Sequence, residues 1–189
     1  PRRIRSLRHF RRCPAHIHTA CINVAGYEFR SPVASFDTRI PPEGSVDLGL
    51  SVCWSSCNYG ADVPSGAGTF VNWNGAVAAA VAEGLAPPSY DQLEELRKNC
   101  TWTWTALDDV PGYLVTGRNG NSIFLPRTGH YTNVGTDNEK FIEGDSGLWS
   151  SMTRSTDPSI AFYLRFNASG AGMSSISAAS GYPVRLVYD

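Results

Sequence analysis

Apolar residues in this chain fall into short runs, most of them too brief for a long helix. Val46-Asp47-Leu48-Gly49-Leu50-Ser51-Val52 with Trp54 alternates loosely and predicts one strand over 46–54 that enters the core. Trp102 and Trp104 alternate with threonines, the period-2 signature of a strand with one aromatic face. Tyr113-Leu114-Val115 and Ser122-Ile123-Phe124-Leu125 flank Gly117-Arg118-Asn119-Gly120-Asn121, which predicts a hairpin with Asn-Gly chemistry at its tip. Ala161-Phe162-Tyr163-Leu164-Arg165-Phe166 and Pro183-Val184-Arg185-Leu186-Val187 are the last two strong strands. Around Tyr27-Glu28-Phe29-Arg30, one or two short strands are expected within 22–40.

One helix is well marked. Pro87-Pro88 precede Ser89, whose hydroxyl can cap free amides, and Gln92 completes a capping box. Leu93 and Leu96 share a face, while Glu94, Glu95, Arg97 and Lys98 turn to water. Asp91 in the first turn and Lys98 in the last complement the helix dipole. The Ala-rich run at 76–85 predicts a second, short helix, and 60–75 an irregular loop anchored by Phe70 and Trp73. These elements describe an α+β domain of mostly antiparallel short strands with one or two helices.

The 189 residues suit a basic N-terminal arm at 1–21 followed by one ligand-binding domain at 22–189. A hydrophobic content of 42% is enough to bury a core, which excludes a disordered chain. A net charge of −1 and a pI near 6.5 argue against nucleic acid as the main partner. No apolar run approaches the ~20 residues of a membrane span. Arg2, Arg3, Arg5, Arg8, Arg11 and Arg12 crowd the first dozen residues: a polyanion-binding arm, a docking segment, a targeting remnant or a solvated tail. Five cysteines (13, 21, 53, 57 and 100) permit one or two disulfides, with Cys57–Cys100 the favoured pair, or else serve as small buried thiols.

Catalytic and metal signatures are weak. Gly144-Asp145-Ser146-Gly147 matches the nucleophile signature of chymotrypsin-like proteases, but Leu148 replaces the usual next glycine and the histidine context is missing. A serine hydrolase using Ser146 is therefore the lesser alternative to ordinary turn chemistry. Cys13, His16, His18 and Cys21 lie within nine residues, and a zinc tetrahedron is hard to close from so short a loop. Asp137-Asn138-Glu139 and Asp145 could offer oxygens to calcium but lack EF-hand spacing. His130, alone in a Gly- and Thr-rich loop, reads as exposed. No cofactor and no metal are expected.

Several signatures recur in a meaningful order: 46–52 with Trp54, Cys57-Asn58 and Gly60-Ala61; the capped helix; Asn99-Cys100-Thr101-Trp102; Gly120-Asn121-Ser122-Ile123-Phe124-Leu125-Pro126; Trp149-Ser150-Ser151; and Pro183-Val184-Arg185. Over about 44–188 this series resembles the Fibrobacter succinogenes major paralogous domain. The resemblance implies a C-type-lectin-like fold of the formylglycine-generating-enzyme branch, in surface or secreted proteins of gut Bacteroidetes and their phages. Two departures stand out: Cys53 replaces a lysine-like residue, and the usual Asn-rich tail is Ser/Ala/Gly-rich. In its altered tail the chain resembles the variable proteins of diversity-generating retroelements, where Asn codons scatter mainly to Ser, Thr, Asp, Gly, Ala and Tyr.

The expected function is therefore ligand binding without catalysis, extracellular, on a bacterial surface or phage particle, with residues 152–180 as a variable binding surface. Along 161–166, Phe162, Leu164 and Phe166 form the expected core set, leaving Tyr163 and Arg165 as exposed anchors. Thr153, Arg154, Ser155, Asp157, Ser159, Asn167, Ser169, Ser174, Ser175 and Ser177 would frame them with adaptable hydrogen-bonding groups. A protein or glycan on a cell surface is the expected partner, and an oligomer is compatible with it. The rivals are a constant adhesin or lipoprotein module, the Ser146 hydrolase, and a relative of the formylglycine-generating oxidase, which would need a reactive cysteine pair in the ligand cleft.

Overall fold

Residues 40–188 are described by the computed structural model. The basic arm and its boundary at residue 21, the strands expected within 22–40, and the Cys13–Cys21 motif lie outside the described residues. Thirteen elements follow in order: β1 Ser45–Asp47, β2 Cys53–Ser55, α1 Trp73–Ala82, α2 Tyr90–Asn99, β3 Thr101–Leu107, β4 Val110–Thr116, β5 Ser122–Pro126, β6 His130–Thr132, β7 Lys140–Ile142, β8 Ser146–Arg154, β9 Asp157–Asn167, β10 Gly170–Ser177 and β11 Val187–Tyr188. They form sheets in the orders β1-β2-β11, β10-β9-β8, β3-β4-β5 and β6-β7, and the paired strands run antiparallel.

This corrects the expected fold class. The architecture is β-rich, with 44% of the described residues in β-structure and only two short helices, and the α+β, C-type-lectin-like expectation is overturned. Among the described residues, helix occupies just two ten-residue stretches. Most of the rest alternates at period 2 or forms turns, so sheets supply the framework and helices cover it.

The single strand expected over 46–54 is a hairpin instead, with Val46 opposite Trp54. Asp47 makes the bend: its Oδ1 accepts from the Gly49 amide at 2.7 Å, and Gly49 takes φ +71°. The side chains of Asn119 and Asn121 both donate to the Asp47 carbonyl, at 2.9 and 2.8 Å, and tie this bend to the β4–β5 hairpin.

Both helices are set by their caps. At α2 the Gln92 amide donates to Ser89 Oγ at 3.1 Å, and the Ser89 amide donates to Gln92 Oε1 at 2.7 Å, the expected capping box. Leu93 and Leu96 are buried as expected. Glu94 pairs with Arg97 and Lys98, and the Arg97 hydrogen bond chiefly holds its carboxyl down at about 2. Helix α1 starts earlier than expected because Asn72 Oδ1 accepts from the Gly75 amide at 2.8 Å, which places Trp73 in the helix.

Sheet β10-β9-β8 separates two apolar clusters. Leu148, Leu164 and Phe166 face one, with Trp54, Leu93 and Leu96. Trp149, Ala161 and Tyr163 face the other, with Ala76, Ala80 and Tyr182. Trp149 Nε1 donates to the Val71 carbonyl at 2.8 Å, and Trp73 Nε1 to the Ser150 carbonyl at 2.9 Å. Cys53, Cys57 and Cys100 are free thiols, so the favoured Cys57–Cys100 bridge is not formed. Cys100 instead packs against the first cluster, where burial pushes its thiol up to about 11.

Residues 180–187 run buried through all of this. Arg185 is 0% exposed and makes three hydrogen bonds to neutral oxygens: Nε to Asn58 Oδ1 at 3.0 Å, Nη1 to the Ser55 carbonyl at 3.1 Å and Nη2 to the Phe124 carbonyl at 2.7 Å. Arg185→Ala would strand these acceptors and should cost at least ~3 kcal/mol in urea unfolding. A loss under ~1 kcal/mol would mean that water replaces the guanidinium.

Candidate functional site

The twelve expected contact residues do not form one patch. Strand β9 spans eleven residues, which at ~3.4 Å per residue separates its ends by roughly 30 Å. Thr153, Arg154, Ser155, Asp157 and Ser159 sit on the β8–β9 hairpin, with Ser177 opposite Ile160. Arg165, Asn167, Ser169 and Ser174 lie toward the other end, with Asp145.

At the hairpin end, all five residues are exposed except Thr153, which is half-buried. Arg154 Nη2 donates to Ser175 Oγ at 3.0 Å. Asp157 Oδ1 accepts from the Ser159 hydroxyl at 2.6 Å and its amide at 3.0 Å, and these bonds hold the carboxyl below its ordinary value. The tip is therefore ordered by its own polar contacts.

Tyr163 is a correction. It is 5% exposed, with its ring centroid 4.7 Å from that of Tyr182 and 6.1 Å from that of Trp149. Leu164 and Phe166 are buried as expected, whereas Phe162 is half-buried and meets Tyr90 edge-on at 5.3 Å. Because the sheet is covered on both faces, inward and outward no longer alternate along its middle. The unbroken run Ala161-Phe162-Tyr163-Leu164 is the signal for this, since strands buried on both sides read as continuous apolar stretches.

Arg165 remains a surface residue, its side chain 48% exposed and paired with Asp145. Asp145 Oδ1 also accepts from Asn167 Nδ2 at 2.7 Å. The Asn167 bond first, then the Arg165 bond, holds the Asp145 carboxyl below its usual value. Sequence reasoning missed Asp145 as the partner of these residues because twenty positions separate it from Arg165 and only the β8–β9 register unites them. A trough of about 360 Å³ opens beside this group, lined in part by Arg165, Asn167, Ser169, Gly172 and Ser174.

Ser146 belongs to the frame. It is 0% exposed, and its Oγ accepts from the Thr128 amide at 2.7 Å and the Gly129 amide at 3.1 Å. His130 is half-buried rather than exposed; its Nδ1 lies 3.3 Å from the Asp145 carbonyl, and its ring stacks on Tyr182 at 4.8 Å. The Ser146 hydroxyl thus ties β8 to the β5–β6 connection and is sealed from substrate. Glu139 Oε2 accepts from the Gly135 amide at 2.7 Å, closing a turn. Among the described residues, no group of three or more His, Cys, Asp or Glu side chains is placed to hold a metal ion, and no helix is long and apolar enough to cross a membrane.

No family model, curated protein or solved structure matches this chain.

Two outcomes follow from the Asp145–Ser146 geometry. Ser146→Ala should cost about 1–3 kcal/mol in chemical unfolding, because the buried Gly129 amide and the half-buried Thr128 amide lose their acceptor, and wild-type Ser146 should resist a fluorophosphonate label. Carbon-detected NMR titration should place the Asp145 carboxyl below the ordinary aspartate value, and Arg165→Met should bring it part of the way back. Since the folded value is depressed, any stability from this group is present above the unfolded value and fades as pH falls through the folded one.

Proposed function

We propose that this protein is a ligand-binding module, displayed on a bacterial surface or phage particle, that makes its contacts through exposed positions of 152–180. The observation that carries the reading is an abrupt change in burial at both ends of this segment. Residues 146–150 and 180–187 are buried, while 151–159 are exposed except for half-buried Thr153. Exposed serines and threonines on a hairpin tip contribute little to the core, so their identity is free to follow a ligand. Arg154 and Arg165 supply the anchors, and Tyr163 is withdrawn from the contact set.

The likeness to retroelement-diversified variable proteins supports exchange of these positions within a population. A constant adhesin would use the same surface without that exchange. Sequencing the 3′ end of the gene in its source population separates the two. Diversification predicts substitutions confined to exposed codons of 152–180, with Trp149, Tyr163 and 181–187 fixed; a uniform segment marks the constant module. Independently, Arg154→Glu combined with Ser155→Trp should change the binding profile on protein and glycan arrays and leave the melting temperature within ~2 °C. An unchanged profile both for this variant and for Arg165→Met, at the other end of β9, would overturn the reading.

A further inference from the structure

The pairing of β8 with β9 contains a surplus. Trp149 lies opposite Tyr163 and Thr153 opposite Ala161, so Ser150, Ser151 and Met152 stand opposite Phe162 alone. An ordinary bulge inserts one extra residue, and this one inserts two. Other elements hold what β9 does not. Trp73 of α1 donates from Nε1 to the Ser150 carbonyl at 2.9 Å, and the Ser151 amide donates to the Pro88 carbonyl at 2.8 Å. The Met152 amide donates to Ser150 Oγ at 3.0 Å. The bulge is pinned, and its outcome is fixed: Ser150 turns inward at 1% exposure and Met152 outward at 47%.

That outcome inverts the usual sorting, with a serine buried and a large apolar group in water. Among the described residues of 152–180, Met152 is the one large hydrophobic side chain that is exposed. Thr153, Arg154, Ser155 and Asp157 follow it along the hairpin tip. The chain's other methionine, Met173, packs against the first apolar cluster. The two thioethers share one chemistry and differ in access. Oxidation to the sulfoxide turns a flexible apolar side chain into a polar one. At Met173 that change would disturb a core; at Met152 it would alter only the surface.

We infer that Met152 is an oxidation-controlled contact: a peroxide converts its thioether to the sulfoxide, and the altered side chain changes what the hairpin tip binds. The inference rests on the binding reading above and names a regulation of that site. The thioether is oxidised and the peroxide reduced. Sulfur attacks one oxygen of hydrogen peroxide, and an S–O bond forms as the O–O bond breaks. The departing hydroxide takes the proton from the transferred oxygen and leaves as water. Methionine sulfoxide reductases reverse the change. Because Trp73, Pro88 and the Ser150 hydroxyl hold the backbone of 150–152, the frame stays in place while the contact changes.

The test is a hydrogen peroxide titration of the full chain, read by peptide mass mapping, thermal melts and the protein and glycan arrays. Met152 should be oxidised about tenfold faster than Met173, with the melting temperature held within ~2 °C. The array profile should shift as the Met152 sulfoxide forms and return after treatment with the reductases for both sulfoxide epimers. Met152→Leu keeps all five cysteines, so any response of its profile to peroxide would come from thiols; none is expected. Met173→Leu, a swap of similar volume, should leave the response to peroxide in place. Equal rates at the two methionines would overturn the site. A melt that falls in step with Met152 oxidation would make the residue part of the frame and overturn its role as a contact. An unchanged profile after Met152 oxidation, where Arg154→Glu with Ser155→Trp alters it, would overturn the regulation and leave the binding function standing. A profile that answers to neither would overturn both readings.

Discussion

The rest of the domain depends on a cation placed where water cannot reach it. Arg185 gives its guanidinium protons to Asn58, Ser55 and Phe124, none of them charged. Desolvation lowers its pKa to about 10, so the group keeps its charge at neutral pH. Burying that charge is tolerable only while all three oxygens stay in place, because a buried charge with a missing partner is strongly destabilising. The three acceptors come from β2, the turn after it and β5. Asn58 extends the link, since its Nδ2 donates to the Ala67 carbonyl at 3.0 Å within the long loop. A single side chain near the C-terminus thereby couples parts of the chain up to 130 residues apart.

The backbone around Arg185 repeats the same role. Tyr182 exchanges two hydrogen bonds with Val71, while the carbonyls of Val184 and Leu186 accept from Tyr59 and Ser55. This buried seam holds β8 through Trp149, whose amide donates to the Pro183 carbonyl at 3.3 Å. With β8 fixed and both faces of β9 packed, the polar residues at the two ends of β9 are positioned without supporting anything beneath them. Rigidity and exposure meet at neighbouring residues: Ser150 is buried and Ser151 is not.

What could be read from the sequence was what is decided locally. The capping box of α2, the pair Leu93 and Leu96, and the β4–β5 hairpin each depend on residues a few positions apart, and all three are present. The bend at Asp47 used the same chemistry but was hidden, because a hairpin's two arms and one alternating strand produce similar apolar patterns. Tyr163, the Asp145–Arg165 pair and the unbridged state of Cys57 and Cys100 depend on which sheet face is covered and which strands adjoin. Those are long-range outcomes, and period-2 reasoning assumes a single covered face. The fold class failed for a related reason: a resemblance of ordered signatures concerns short scaffold segments and says little about how the sheets between them assemble.

The placement of the tryptophans has an optical consequence. All five lie outside 152–180, and Trp54 and Trp149 are fully buried. Trp54 also has an indole N–H without a partner among the described residues, an apolar setting that favours short-wavelength emission. Intrinsic fluorescence in this protein is thus a signal of the frame, with no tryptophan emitter on the proposed contact segment. A partner that brings its own tryptophan would be seen against a background that reports only whether the scaffold is intact.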